Sequence, residues 1–261
     1  MISKKLLFIL IAALLLAASC KKQPSSFNLE QINNPDAQHI LAPGMSSVGI
    51  ISDGHIFVYY LTERHQWKPD NVSQFDIPPK NQGILAMGMG SIAVLEKDVL
   101  YFYYMDSSHQ WNQSYELTMP LPSDYRRISA MKMPWQHGAI ALEDKTGTIR
   151  FYYLDDDNRW KHDETANFSV PRGIDDYIMM GGMDIAIVSD GKLGIYELSL
   201  SGQWQFADDM VLTLPDDTRA VLSFEPGVIM TLSGDQLLFF EADYENRYWI
   251  LDDTMTFRLP F

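Results

Sequence analysis

The sequence predicts an all-β fold in which five copies of one four-stranded antiparallel unit follow one another. A tryptophan recurs at spacings of 44, 49, 44 and 45 residues, and a proline follows each one eleven residues later. After the first twenty residues, no ten-residue stretch shows the 3.6-residue apolar period of a helix. Repetition at such a period is typical of repeat architectures. The recurring pairs are Trp67 with Pro78, Trp111 with Pro122, Trp160 with Pro171, Trp204 with Pro215 and Trp249 with Pro260.

The second copy illustrates the predicted unit. Apolar and alternating segments predict strands over residues 84–88, 91–96, 99–105 and 111–119. The link at 97–98 has the two-residue length of a primed hairpin turn. Four antiparallel strands in 44 to 49 residues fit the blade of a β-propeller.

We therefore expect a five-bladed β-propeller of four-stranded antiparallel blades. The first strand of each blade should line the central channel, and the fourth strand, which carries acidic pairs, should form the outer edge. Charged outer edges hinder strand-to-strand association. The predicted blades cover residues 39–79, 80–122, 123–171, 172–215 and 216–261. The repeated tryptophans are expected to serve the packing of the blades rather than to bind a ligand.

The first residues have the composition of an export signal. Lys4 and Lys5 precede an apolar run over residues 6–16, which is short for a membrane span, and small residues lead to Cys20. A cysteine after small residues resembles the lipobox of bacterial lipoproteins, which implies a signal peptide over 1–19 and a lipid on Cys20. A secreted protein with a stray cysteine, or a signal anchor, is the alternative.

Residues 20–38 are mostly polar, contain two prolines and predict a tether between the lipid and the ring. Residues 27–32 alternate weakly, so whether they add a strand is left open. In lipoproteins of the Bacteroidetes, acidic residues after the cysteine often mark surface export. Residues 21–23 lack them, which favours the periplasmic side of the outer membrane in the cell envelope.

Charge and composition exclude several functions. The net charge is −14, which argues against nucleic-acid binding because phosphates require a basic surface. A single cysteine excludes an internal disulfide and a multi-cysteine zinc site. No nucleophile elbow, P-loop or dinucleotide motif is present. The sequence thus predicts no catalytic residues, no cofactor and no metal site.

Two candidate binding sites lie where the copies differ. Links between the fourth strand of one copy and the first strand of the next mix charges, and adjacent guanidinium groups offer an anion site in an acidic protein. That candidate set is Tyr125, Arg126, Arg127, Arg172 and Arg219. Internal pairing of these arginines with neighbouring acids is the alternative.

The second candidate is an insertion in the third copy. It falls between the first and second strands, around residues 132–137, and contains Trp135, Gln136 and His137. A tryptophan beside hydrogen-bonding side chains is a platform for stacking; a loop that covers the channel mouth is the alternative. In a propeller this loop and the arginine links lie on opposite faces. The two sets of residues are therefore alternative sites and not one composite site.

The repeat plan with its tryptophan and tyrosine landmarks resembles lectin-like five-bladed propellers of the tachylectin type, and lipid-anchored propellers that scaffold outer-membrane assembly. These resemblances imply a non-enzymatic, membrane-tethered binding or scaffold protein that recognises a protein or cell-envelope component. The alternative is a carbohydrate-binding lipoprotein of a glycan-uptake system; a glycosidase is a third possibility. The resemblances carry no binding residue to this chain.

Overall fold

The structure is a computed structural model and describes residues 28–31, 35–44, 46–132, 138–181 and 183–260. Twenty strands form five separate four-stranded antiparallel sheets, and within each sheet the strands lie side by side in chain order. Cys20, the predicted signal peptide and the beginning of the predicted tether lie outside the described residues. Within the described residues, no helix has the length and apolar character needed to cross a bilayer.

The five sheets are the predicted blades. Blade 1 contains β1 (Ile40–Leu41), β2 (Ser47–Ser52), β3 (His55–Leu61) and β4 (Trp67–Asp76). Blade 2 contains β5 (Gly83–Gly88), β6 (Ser91–Glu96), β7 (Val99–Met105) and β8 (Trp111–Pro120). Blade 3 contains β9 (Tyr125–Met131), β10 (Ala139–Asp144), β11 (Thr148–Leu154) and β12 (Trp160–Ser169). Blade 4 contains β13 (Asp176–Gly181), β14 (Asp184–Ser189), β15 (Lys192–Leu198) and β16 (Trp204–Thr213). Blade 5 contains β17 (Thr218–Glu225), β18 (Val228–Ser233), β19 (Gln236–Asp243) and β20 (Tyr248–Arg258).

This architecture confirms the predicted fold class. In the second blade the observed strands match the predicted ones to within a residue at each end. The turn between β6 and β7 also has the expected geometry, since Lys97 and Asp98 both have positive φ values of 48° and 63°. Two consecutive positive φ values define the type I′ turn that joins twisted antiparallel strands.

The blades are held together by one apolar cluster at each of the five junctions between neighbours. The repeated tryptophans pack at these junctions, as expected. At the junction that closes the ring, Trp67 of blade 1 stacks on Phe239 of blade 5 with ring centroids 5.7 Å apart. Its indole Nε1 also donates a hydrogen bond to the Met255 carbonyl at 2.7 Å. The ring is therefore closed by side-chain packing and not by exchange of a strand.

The same indole contact recurs around the ring. Trp111, Trp204 and Trp249 each donate from Nε1 to a carbonyl of the preceding blade, on Ser73, Ala166 and Met210 respectively. The Nε1 of Trp160 has no hydrogen-bond partner within the part of the chain that is described. A structural role explains why the tryptophan recurs in every copy, because each junction needs the same large side chain.

The first strands lie innermost, because β5, β9, β13 and β17 contact one another across the centre. The fourth strands lie at the opposite edge of each sheet. We call the face that carries the links from fourth to first strands the upper face; the turns between second and third strands share it. The lower face carries the loops between first and second strands.

The described part of the N-terminal segment lies against the ring. Residues Leu29–Gln31 and Pro35–Ala37 form two short 3₁₀ helices, and the first lies against β5 and β9. Leu29 is buried in the junction of blades 2 and 3, and Ala37 in the junction of blades 5 and 1. Asn28 makes a single parallel bridge with Ile84, so the segment meets an inner strand and not an outer edge. The ring therefore includes residues that precede position 39.

Candidate functional site

Arg126 and Arg127 are neighbours on the upper face, but their surroundings are opposite. Both lie at the start of β9, where successive side chains point to opposite sides of the sheet. The Arg126 side chain is 62% exposed, and its Nη1 lies 3.5 Å from Glu143 Oε1. The Arg127 side chain is 5% exposed and points into the junction between blades 3 and 4. Only Arg126 of the pair is open to a ligand from solvent.

Arg127 is engaged by several groups at that junction. Its Nη1 lies 2.6 Å from Asp176 Oδ1, and its Nη2 donates to the carbonyls of Glu30 and Tyr177 at 2.9 and 3.0 Å. The guanidinium carbon also lies 4.1 Å from the centre of the Tyr177 ring. Burial acts to lower the pKa of Arg127, but Asp176 and its neighbours outweigh this effect and raise the pKa. Arg127 therefore joins blade 3, blade 4 and the N-terminal segment.

Tyr177 completes the same network. Its hydroxyl donates to Glu143 Oε2 at 2.8 Å, and burial raises the pKa of the phenol. Glu143 is itself buried, so this hydrogen bond and the nearby Arg126 compensate a carboxylate that has lost water. The upper face between blades 3 and 4 is thus filled by a connected polar network.

The other predicted upper-face candidates are distributed along the ring. Tyr125 is half-buried, and its hydroxyl lies 3.4 Å from Asp98 in blade 2. Arg172 is exposed in the link between β12 and β13. Arg219 donates to the Gly234 carbonyl and lies 3.8 Å from Asp36. The five candidates therefore occupy three successive links, and the structure does not combine them into one anion site.

The predicted alternative site, Trp135, Gln136 and His137, lies outside the described residues. The ends of its loop are described at Lys132 and Gly138, between β9 and β10. This position agrees with an insertion between the first and second strands, on the lower face.

The centre of the ring contains two buried ionisable side chains, Lys132 and Glu30, that were not among the predicted site residues. The Lys132 Nζ donates to the carbonyls of Ser223 and Phe224 at 2.5 and 3.1 Å, so the side chain reaches from blade 3 to blade 5. Burial lowers the pKa of Lys132 to about 8, although Glu30 and Glu225 oppose the shift. Glu30 accepts the Ala130 N–H at 3.0 Å, and burial raises the pKa of its carboxyl. These side chains occupy the centre of the ring and tie together strands from opposite sides of it.

A groove of about 510 Å³ opens on the upper face between blades 4 and 5, and we call it the rim groove. Its floor is apolar and its walls are charged. Residues that define it are Asp175, Asp190, Lys192, Leu214, Thr218 and Val221. Arg219 and Asp176 also border the rim groove, which links it to one predicted candidate and to the Arg127 network.

Equivalent positions in successive copies explain why the rim groove is open. Arg127 and Asp176 occupy equivalent positions in their blades, each five residues after the repeated proline. On the neighbouring strand Glu143 pairs with Arg127 and Val188 pairs with Asp176, so Val188 is the counterpart of Glu143. By the six-residue spacing from the repeated proline, Val221 is the counterpart of Tyr177. Val188 and Val221 thus stand where the preceding junction has Glu143 and Tyr177. The space that the Tyr177 ring fills between blades 3 and 4 stays open between blades 4 and 5.

Within the described ranges, no group of three or more histidine, cysteine or acidic side chains is arranged to hold a metal ion. The rim groove itself offers carboxylates, one lysine, one arginine and an apolar floor. Such a surface is suited to recognition through packing and charge.

Comparisons with known proteins found solved structures of low similarity and no family. No family profile and no curated protein matches the sequence. A functionally unknown protein from Desulfotomaculum acetoxidans DSM 771 is 12% identical, with a TM-score of 0.42 over 84% of this chain and 68% of that chain. The WD40 domain of SCAP from fission yeast is 13% identical, with a TM-score of 0.42 over 84% of this chain and 55% of that chain. A protein from Lactobacillus plantarum is 9% identical, with a TM-score of 0.38 over 88% of this chain and 70% of that chain. At these values the chain's own sheet topology, and not the comparison, defines it as a five-bladed propeller.

Proposed function

We propose that this propeller is a non-enzymatic binding or scaffold protein, tethered to the outer membrane by a lipid on Cys20, that recognises a protein or another cell-envelope component. The observation that carries the proposal is the rim groove, an open recess with an apolar floor on a ring whose centre is occupied by Lys132 and Glu30. Recognition on a face of the ring needs no motion of the blades.

The construction of the ring favours such a role. Five apolar junctions and the indole hydrogen bonds hold the blades in fixed positions, so the links on the upper face are presented on a rigid support. Binding residues on loops that are held by a rigid scaffold lose little conformational freedom when a partner docks. The periplasmic side remains the favoured location, because residues 21–23 lack the acidic residues of surface-exported lipoproteins.

The tether is tested by membrane fractionation. A processed lipoprotein carries several acyl chains, which hold it firmly where a single chain does not. We expect the wild type in washed outer membranes and Cys20→Ser in the soluble fraction. Equal retention of both proteins in washed membranes would show that the lipid is not the anchor.

The binding role is tested by capture of envelope components on the tagged protein after mild detergent extraction. We expect an envelope protein to be retained and to resist elution with free sugars. Elution by a free sugar, with loss of capture in Trp135→Ala and none in Arg126→Ala, would instead establish the carbohydrate-binding alternative and move the site to the lower face. Retention of no envelope component at all would contradict both.

A further inference from the structure

The rim groove combines an apolar floor with an excess of negative charge. Val188, Val221 and Leu214 contribute to the floor, and the exposed carboxylates of Asp175, Asp190 and Asp216 stand around it. The Asp175 carboxylate accepts the Asp190 backbone N–H at 3.0 Å, which holds two of these residues beside each other.

The cations of the groove are fewer than its acids. Arg219 lies 3.8 Å from Asp36, which is outside the groove, and hydrogen bonds to the Gly234 carbonyl. Asp176 is already paired with Arg127. Lys192 and Arg219 are thus two exposed cations beside the three exposed acids Asp175, Asp190 and Asp216.

We propose that the rim groove receives the side chain of a lysine or arginine presented by a protein partner. This inference rests on the proposed binding function and names the partner chemistry of the same site. The aliphatic stem of such a residue packs on an apolar floor while its charged head stays among carboxylates at the mouth. A carboxylate or phosphate would meet Asp175, Asp190 and Asp216 as like charges, so charge complementarity favours the basic side chain.

The test uses Nα-acetyl-lysine amide as the probe and follows the backbone amide signals of the purified protein by NMR. We expect saturable shifts at Gly191 and Ala220, which line the groove, with a Kd on the order of 1 mM. Nα-acetyl-norleucine amide has a similar chain without the charge, and Nα-acetyl-glutamate amide has the opposite charge. Both should bind at least about threefold more weakly, because two or more exposed charge pairs are lost.

Two groove variants and one control complete the design. Asp190→Asn with Asp216→Asn should weaken lysine binding about three- to tenfold, because it removes two carboxylates and leaves the floor intact. Val221→Tyr should abolish binding, because it places in the groove the ring that fills the preceding junction at Tyr177. Asp208→Asn with Glu164→Gln removes the same charge from exposed outer strands and should leave the Kd unchanged. Circular dichroism checks that each variant is folded.

The inference is overturned if the lysine probe produces no saturable shift in the groove, if the norleucine or glutamate probe binds as well, or if the outer-strand control weakens binding as much as the groove variant. Its failure is distinguishable from failure of the proposed function. Capture of an envelope protein that survives the Asp190→Asn/Asp216→Asn change shows a binding protein that uses another surface. Binding of the lysine probe without any captured envelope component shows that the groove accepts a basic side chain while the proposed binding function fails.

Discussion

Two neighbouring junctions on the upper face differ in how their equivalent positions are filled. Between blades 3 and 4, Arg127, Tyr177 and Glu143 form a buried, connected network. Between blades 4 and 5, Val188 and Val221 stand at the positions of Glu143 and Tyr177, and the rim groove remains open. The same backbone frame thus supports a sealed junction and an open one, because the choice depends on side-chain volume and polarity at a few register positions.

The difference also separates stability from recognition. At the sealed junction, a charged group has lost its water and is compensated by a carboxylate, two carbonyls and an aromatic ring. At the open junction, the carboxylates remain in water and are available to a partner. Substitutions at the first should therefore act on unfolding, and substitutions at the second on binding.

Removing the centre of the sealed junction should have the largest effect. Arg127→Ala leaves the half-buried Asp176 without its cation, removes a positive charge near the buried Glu143 and takes a donor away from two carbonyls. We expect the free energy of unfolding to fall by about 3–5 kcal/mol, the usual cost of breaking a buried ion pair from one side. Denaturant titration measures the change. Arg126→Ala, at the exposed neighbouring position, should cost less than about 1 kcal/mol; equal losses in the two variants would contradict the comparison.

Opening the sealed junction at its aromatic residue should have the next largest effect. Tyr177→Val introduces the residue that stands at the equivalent position 221, so it removes the ring beneath Arg127 and the donor to Glu143. A loss of about 2–4 kcal/mol is expected in the same titration, because a cavity is created in a packed junction. Tyr177→Phe keeps the ring and should lose less, about 1–3 kcal/mol, because only the donor to the buried Glu143 is removed. A Tyr177→Val protein as stable as the wild type would mean that the junction is not held by this ring.

The junction of blades 4 and 5 carries the rim groove on the upper face and is joined on the lower face by the buried Asp184. Titration of the Asp184 carboxyl gives the smallest expected effect. Tyr244 donates to Asp184 Oδ2 at 2.6 Å, and burial raises the pKa of Asp184 from 3.8 to about 6. The folded chain thus keeps this proton to a higher pH than the unfolded chain. Its contribution to stability is full below about pH 4 and is lost as the pH rises through 6.

Asp184→Asn removes that dependence. The stability of the wild type relative to Asp184→Asn should fall by up to about 3 kcal/mol between pH 4 and pH 7, since one pKa unit corresponds to about 1.4 kcal/mol. Denaturant titrations of both proteins at the two pH values give the difference. A constant difference between wild type and Asp184→Asn would show that folding does not raise the pKa of this carboxyl.

Much of the fold was predictable because each blade repeats the same physical solution. The tryptophan recurs because every junction needs a large side chain, and two-residue turns join the second and third strands in four of the five blades, so five imperfect copies reinforced one interpretation. The strands of the second blade and the place of the insertion before Ala139 followed from these landmarks. The proposed lipid at Cys20 and the lower-face site at Trp135 lie outside the described residues and stay predictions.

The candidate site was less predictable, for a specific reason. Arg126 and Arg127 are adjacent and chemically identical, and the sequence offered them together as an anion site. Their surroundings depend on Asp176 and Tyr177, about fifty positions later, and on Glu30, about a hundred positions earlier. Comparison of register positions across copies was the signal that pointed to the rim groove, because Val188 and Val221 are small and apolar where Glu143 and Tyr177 are large and polar.

By itself, the sequence determined the number of blades, the order of strands within each one and the acidity of the whole surface, since these follow from local periodicity, turn chemistry and composition. Only the tertiary structure decided which charges are buried. Closing the ring brings Lys132 to the carbonyls of blade 5 and the N-terminal segment against β5 and β9. It also places one valine pair where the preceding junction has a hydrogen-bonded glutamate and tyrosine. Burial is a property of neighbours that are distant in the chain, and the repeat pattern does not contain that information.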